Sequence, residues 1–140
     1  MAATFPFRLI TPTGVVFEGE AEEVSAIGQL GEFGVLPDHI NFITSLVPGI
    51  LEARLPGGTS KHWVVSGGLA EVKDGVMTML ASSAESPESV DANGAAAQVQ
   101  QADEKFSNLS FYDPNYQPAQ EALLLARARV AAATLKPSSR

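Results

Sequence analysis

His39 and His62 are the only histidines in this 140-residue chain, and cysteine is absent. Zinc needs four donors at characteristic spacing, and two histidines far apart in sequence supply no third or fourth ligand. Carboxylates are more plentiful. Asp91, Asp103 and Asp113, or Glu18, Glu20, Glu22 and Glu23, could provide the acid and base of a hydrolase, but nothing in their spacing holds any two at a working separation, so they read as solvated charges. Ser66-Gly67-Gly68 is not the Gly-x-Ser-x-Gly elbow of a serine nucleophile. Gly31-x-x-Gly34 is too short for a phosphate-cradling loop and lacks its Lys-Ser/Thr. Without cysteine there is also no thiolate nucleophile and no disulfide, which suits a reducing compartment. These residues make no self-contained active site. A binding or coupling role is the better class.

Charge narrows the partners. The net charge of −7, from 16 acids against 9 bases, disfavours nucleic acid and anionic lipid and favours a basic protein surface. No apolar run approaches the roughly 18 residues of a membrane span. Met1 to Phe7 has neither the basic and apolar regions of a secretion signal nor the Arg-rich character of a transit peptide, so a cytosolic, soluble chain is expected. The length suits one core, or a domain of roughly 85 residues with an appendage.

The elements that would position these residues change type once along the chain. In 5–11, Phe5, Phe7, Leu9 and Thr11 share a face and Ile10 breaks the alternation. Pro6 suggests a sheet edge. Thr11-Pro12-Thr13-Gly14 has the composition of a hairpin turn. A return strand over 15–27 is small and acidic in its middle, which predicts a bend or a change of sheet near Gly19. Gly28 to Gly34 marks a corner at which Gly31 and Gly34 can take positive φ, and Pro37 stops the ladder. Further strands are expected over 41–47, 50–55, 61–66, 69–72 and 76–81. Pro48-Gly49, Pro56-Gly57-Gly58, Gly67-Gly68 and the Asp74-Gly75 hairpin pair separate them. Many short strands at close spacing describe a sandwich or barrel.

After Ala84 the pattern becomes helical. Ser86-Pro87-Glu88-Ser89 offers a cap, and Val99, Ala102, Phe106 and Leu109 recur at spacings of three and four. A loop over 108–118, with Pro114 and Pro118, precedes a second helix over 119–135 whose narrow apolar face is Ala122, Leu123, Ala126 and Val130, and 136–139 ends it. The sequence thus predicts an all-β domain over 1–85 and an antiparallel helical hairpin over 86–140. The alanine-rich faces predict a hairpin held only loosely.

The corner can now be compared with known patterns. Gly31-Glu32-Phe33-Gly34-Val35-Leu36-Pro37-Asp38-His39 closely resembles the Gly-Glu-aliphatic-Gly-aliphatic-x-Pro-x-His segment of the ε-subunit family of bacterial F-type ATP synthases. The likeness continues in order through Thr11-Pro12-x-Gly14-x-x-x-Glu18, Leu46-x-Pro48-Gly49, Val65-Ser66-Gly67-Gly68-Leu69-x-Glu71-Val72 and Val76-x-x-x-Leu80-Ala81. In the helical tail it extends to layout and only weakly to residues.

The resemblance implies a β-sandwich of about ten strands and a two-helix hairpin, in a non-catalytic central-stalk subunit that turns with the rotor and couples ion flow to ATP synthesis. It implies the γ subunit and the c ring as partners, with Gly31, Glu32 and Phe33 at the c ring and Asp38 and His39 near γ. An extended hairpin would meet the α/β catalytic head and restrain hydrolysis, with Arg127 and Arg129 facing acidic surfaces there. The chain would then sit peripherally on the cytoplasmic face of the bacterial inner membrane, attached only through the complex. Some relatives hold the hairpin down with ATP through an aliphatic-Asp-x-x-Arg-Ala pattern. Here it reads Val90-Asp91-Ala92-Asn93-Gly94-Ala95, keeping Asp91 but placing Gly94 where the arginine belongs, so no cofactor and no tight nucleotide binding are expected. The reading from another class is a stand-alone sandwich that binds a ligand such as a carbohydrate. One Trp and two Tyr leave little for its aromatic platform.

Overall fold

A computed structural model of the chain describes residues 2–135. Ten strands come first: β1 (Phe5–Thr11), β2 (Gly14–Ala21), β3 (Glu23–Gly28), β4 (Gly31–Val35), β5 (Phe42–Leu46), β6 (Gly49–Arg54), β7 (Ser60–Val65), β8 (Gly68–Lys73), β9 (Val76–Ala81) and β10 (Ala84–Glu85). A 3-10 turn at Pro87–Ser89 leads to α1 (Ala92–Ser107) and α2 (Tyr116–Ala133).

The strands are hydrogen-bonded in the order β10-β7-β6-β3-β5-β8-β9-β1-β2, with β4 added to β3. All pairings are antiparallel except β1 with β9. The path folds over at β3, which pairs with β6 through Glu23, Val24 and Ser25 and reaches β5 at Gly28 opposite Leu46. Two layers result, and the near-barrel closes where Phe17 of β2 meets Trp63 of β7, ring centroids 5.5 Å apart. Alternate side chains fill the space between the layers: Phe5, Phe7 and Leu9 from β1, Leu51 and Ala53 from β6, Met77 and Met79 from β9. The expected β-sandwich followed by two helices is the observed architecture.

Several local expectations give way to tertiary packing. β1 is an interior strand, with β9 on one side and β2 on the other. Pro6 is tolerated because the pairing with β9 spans only Phe7 to Ile10, leaving the missing N–H outside that ladder. The return strand divides at Glu22, just beyond Gly19, into β2, which pairs with β1, and β3, which pairs with β6. There the Glu22 N–H donates to the Arg54 carbonyl at 2.7 Å, and the Arg54 guanidinium lies 3.6 Å from Glu22 and 3.2 Å from Glu23.

The Ser86 cap starts only the 3-10 turn, and Asp91 is the N-cap residue of α1. Leu109 falls beyond the end of α1. Pro118 does not end a loop but lies in the first turn of α2, where its absent N–H would have had no helical partner. The preceding turn is tied by the Asn115 N–H to Asp113 Oδ1 at 2.8 Å, and Tyr116 packs at a tilt against Phe106 with ring centroids 4.9 Å apart. The other end of α2 stops at Ala133, short of Leu135, and the expected stop over 136–139 lies outside the described residues.

The buried side of α2 is Leu123, Ala126, Ala128 and Ala132, while Ala122 is exposed. The difference from a single stripe arises because α2 packs on α1 and on β6 and β7 at once. Ala128 and Ala132 join Val64, Val90 and Ala95 in a second, smaller core. Val64 serves that core while its neighbours Trp63 and Val65 point into the sandwich, so β7 is buried on both faces.

Candidate functional site

The conspicuous corner is a hairpin. β3 and β4 are joined by Gln29 and Leu30, with Gly28 opposite Gly31 and Ile27 opposite Glu32. Gly31 has φ of 123° in open space, and Leu30 at the apex is 101% exposed. Glu32 is exposed beside it and makes no ion pair or side-chain hydrogen bond among the described residues. Gly34 does not take the positive φ expected of it; it is an ordinary strand residue opposite Ser25. The left-handed residue after β4 is Asp38, φ 66°, in a turn closed by the His39 N–H on the Leu36 carbonyl at 3.2 Å. A short polar side chain tolerates that conformation better than a branched one.

His39 sits 2.7 Å through Nδ1 from the Ile40 carbonyl and meets Phe42 edge-on at 5.7 Å. Phe42 in turn packs on Phe33 at 5.6 Å. The structure therefore links His39 to Phe33 through a ring cluster, leaving Gly31 and Glu32 as the solvent-facing apex. Phe33 itself is half-buried against the sandwich core.

Next to this apex lies a surface that the sequence reading does not single out. Register aligns Ser45 of β5 with Leu69 of β8, Leu69 with Leu80 of β9, Leu80 with Ile10 of β1, and Ile10 with Val15 of β2. These side chains share the outer face, and Leu69, Leu80 and Val15 are each about half exposed, at 45%, 49% and 54%. Ile43 adds a further exposed apolar group on β5. The apex joins one end of this row, because the Gln29 N–H donates to the Ser45 carbonyl at 3.0 Å. A sheet face turned to water normally carries polar side chains, so an apolar row is a candidate contact surface. The one sequence signal for it is Ile10, the residue that breaks the alternation of the first strand.

The hairpin residues separate into two environments. Arg127 is exposed, with only a 4.0 Å approach to Asp103 of α1. Arg129 is engaged: Nε donates to Glu85 Oε1 at 2.8 Å, Nη2 to Glu85 Oε2 at 3.3 Å, and Nη1 to Gln98 Oε1. The hydrogen bond to Glu85 raises the Arg129 pKa, burial opposes this in part, and the charges of Glu85 and Asp91 add to it, so the guanidinium stays protonated. Arg129, Glu85, Gln98 and Lys105 line a cleft of about 530 Å³ between helices and sandwich. At the start of α1, a Cβ on Gly94 would lie 2.7 Å from Asp91 Oδ2, so the Asp91 carboxylate leans over the glycine. Among the described residues no group of three His, Cys, Asp or Glu could hold a metal ion.

With this geometry in place, comparisons with known proteins assign the chain. The family model described as ATP synthase, Delta/Epsilon chain, beta-sandwich domain matches residues 4–87. The chain belongs to the ATP synthase delta/epsilon chain family. The likeness includes the helices of this family member. An ATP synthase epsilon chain from Citrifermentans bemidjiense is 37% identical over 93% of this chain and 94% of the relative. One from Desulfitobacterium hafniense is 38% identical over 95% and 98%. A Bradyrhizobium epsilon chain is 42% identical over a shorter span, 69% and 71%. Among solved structures, a chain in the Euglena gracilis mitochondrial ATP synthase assembly of OSCP, F1 and c-ring superimposes with a TM-score of 0.80 at 26% identity, over 96% of this chain and 83% of that one. A chain of the Tetrahymena thermophila mitochondrial central stalk and c-ring shares the fold, with a TM-score of 0.64 at 14% identity over 92% and 98%.

Proposed function

We propose that this chain is a non-catalytic central-stalk subunit of an F-type ATP synthase, turning with the rotor and coupling ion flow to ATP synthesis. The observation that carries this reading is the match to epsilon chains across nearly the whole length, helices included. The surfaces are consistent with it. The Gly31–Glu32 apex offers an acid to basic loops of the c ring, and the row from Leu69 to Val15 offers apolar area to γ, with Asp38 and His39 as further γ contacts. Among the described residues no helix is long and apolar enough to cross a membrane, so attachment to the cytoplasmic face of the bacterial membrane would come through the complex. An extended hairpin would reach the α/β head and restrain hydrolysis.

The carbohydrate-binding alternative loses its best aromatic, because Trp63 is buried in the sandwich core. The deciding experiment is retention of γ and the c ring by the purified, tagged chain. If neither is retained, the rotor reading fails.

Two variants locate the contacts. Glu32→Lys weakens c-ring retention and coupling by about fivefold to tenfold, with an unchanged circular dichroism spectrum, since rim charges act chiefly on register and on-rate. Full coupling in that variant removes Glu32 from the interface. Leu80→Asp buries a charge against γ and lowers γ retention by about a hundredfold, the cost expected of a central interface position. Its side chain faces out of the sandwich, so the melting temperature should move little. Undiminished γ binding would place γ elsewhere.

A further inference from the structure

The hairpin meets the sandwich mostly through alanine. Ala95, Ala128 and Ala132 lie against Val64 and Val90, with Ile50, Leu125 and Val130 at the margin. Small side chains give a shallow, non-directional contact that does little to fix one helix position over another. What gives the contact a direction is one arginine. Arg129 projects from α2 and presents Nε and Nη2 to the two oxygens of Glu85, the last residue of β10, while Nη1 reaches Gln98 on α1. A single planar group thereby joins the sandwich and both helices. The fork is two-pronged, and the two side chains are only 21% and 31% exposed, so water screens the pair less than a surface ion pair. All three nitrogens of the guanidinium are occupied by acceptors from the chain itself, and Asp91 turns its carboxylate in over Gly94.

We propose that Arg129, Glu85 and Gln98 form a built-in latch that holds the hairpin on the sandwich without a bound ligand. The latch is read from the geometry of the chain alone; only its consequence for ATP hydrolysis rests on the rotor reading. Arg129 and Glu85 are positioning residues. Opening of the hairpin breaks the fork before α2 can leave β7, so the fork sets how often α1 and α2 open.

Amide hydrogen exchange on the full-length chain tests this, because local opening of α2 is read separately from opening of the strands. Glu85→Gln should speed exchange across Tyr116–Ala133 by about tenfold or more, the effect of losing a hydrogen bond to a charged partner, with protection of β1, β6 and β9 unchanged. Arg129→Lys keeps the charge but not the fork and should fall between. The exchanged pair Glu85→Arg with Arg129→Glu should recover most of the lost protection. Millimolar ATP should leave the wild-type pattern unaltered. Wild-type exchange in Glu85→Gln would overturn the latch, and so would marked protection of α2 by ATP, which would make the hold ligand-dependent. Because no partner subunit is present, failure here leaves γ and c-ring retention untouched, and failure of retention leaves the latch standing.

Discussion

Deleting residues 87–140 is expected to raise ATP hydrolysis by the assembled enzyme about fivefold to 150-fold, the span of an allosteric coupling of about 1–3 kcal/mol. The deletion spares the main core, which draws no side chain from beyond Ala84. It does expose Val64 and Ile50, so the truncated subunit should be checked for γ retention before hydrolysis is compared. The proposed basis is that an extended α2 would carry Arg127, already exposed, and Arg129, once freed from Glu85, toward acidic surfaces of the catalytic head. Removing the helix removes both cations. The latch variant should act in the opposite direction: Glu85→Gln favours the extended hairpin and lowers hydrolysis. Unchanged hydrolysis in the truncated complex would leave the hairpin with no inhibitory role.

Gly68→Ala is expected to destabilise the isolated chain by at least about 3 kcal/mol, measured as a fall in denaturant midpoint. Gly68 has φ of 137°, and a Cβ there would sit 1.9 Å from the Leu80 carbonyl oxygen and 2.9 Å from the Ala81 Cα. Both obstacles are backbone, so no rotamer change relieves the clash. The position also pairs with Leu46 on one side and Ala81 on the other, which spreads any displacement into β5 and β9. Gly57→Ala is the control. Its φ is 90° but the space around it is empty, so the cost is backbone strain alone, about 1–2 kcal/mol. Equal losses in the two variants would show that close approach contributes nothing at Gly68.

Much of this was legible before any coordinates. Period-two alternation in 5–9 and 49–54 corresponds to β1 and β6, the strand expected after the Asp74-Gly75 hairpin pair is β9, and at the Gly67-Gly68 break between strands Gly68 is a close approach of backbones. The spacing of Val99, Ala102, Phe106 and Leu109 forecasts the inner face of α1 for its first three members, each half-buried, while Leu109 lies past the helix end. Of the candidate residues, Gly31 and Glu32 lie at an exposed apex, Phe33 is half-buried against the core and Arg129 is bonded to Glu85.

By itself the sequence determined the elements, the glycine-dependent turns, the absence of cysteine chemistry and, through collinear motifs, the family. Those depend on each residue's own backbone preferences and on neighbours two to four positions away. Only the tertiary structure decided that β1 is interior, that α2 is buried on two sides, that Leu69, Leu80, Ile10 and Val15 align into one apolar row, and that Arg129 meets a carboxylate 44 residues earlier in the chain. Each of these joins residues far apart in sequence through strand register or helix docking, and no local periodicity encodes which partner a side chain will meet. The corner at Gly31 shows both halves: its turn is written in its glycines, and its place beside the apolar row exists only because Gln29 bonds to Ser45.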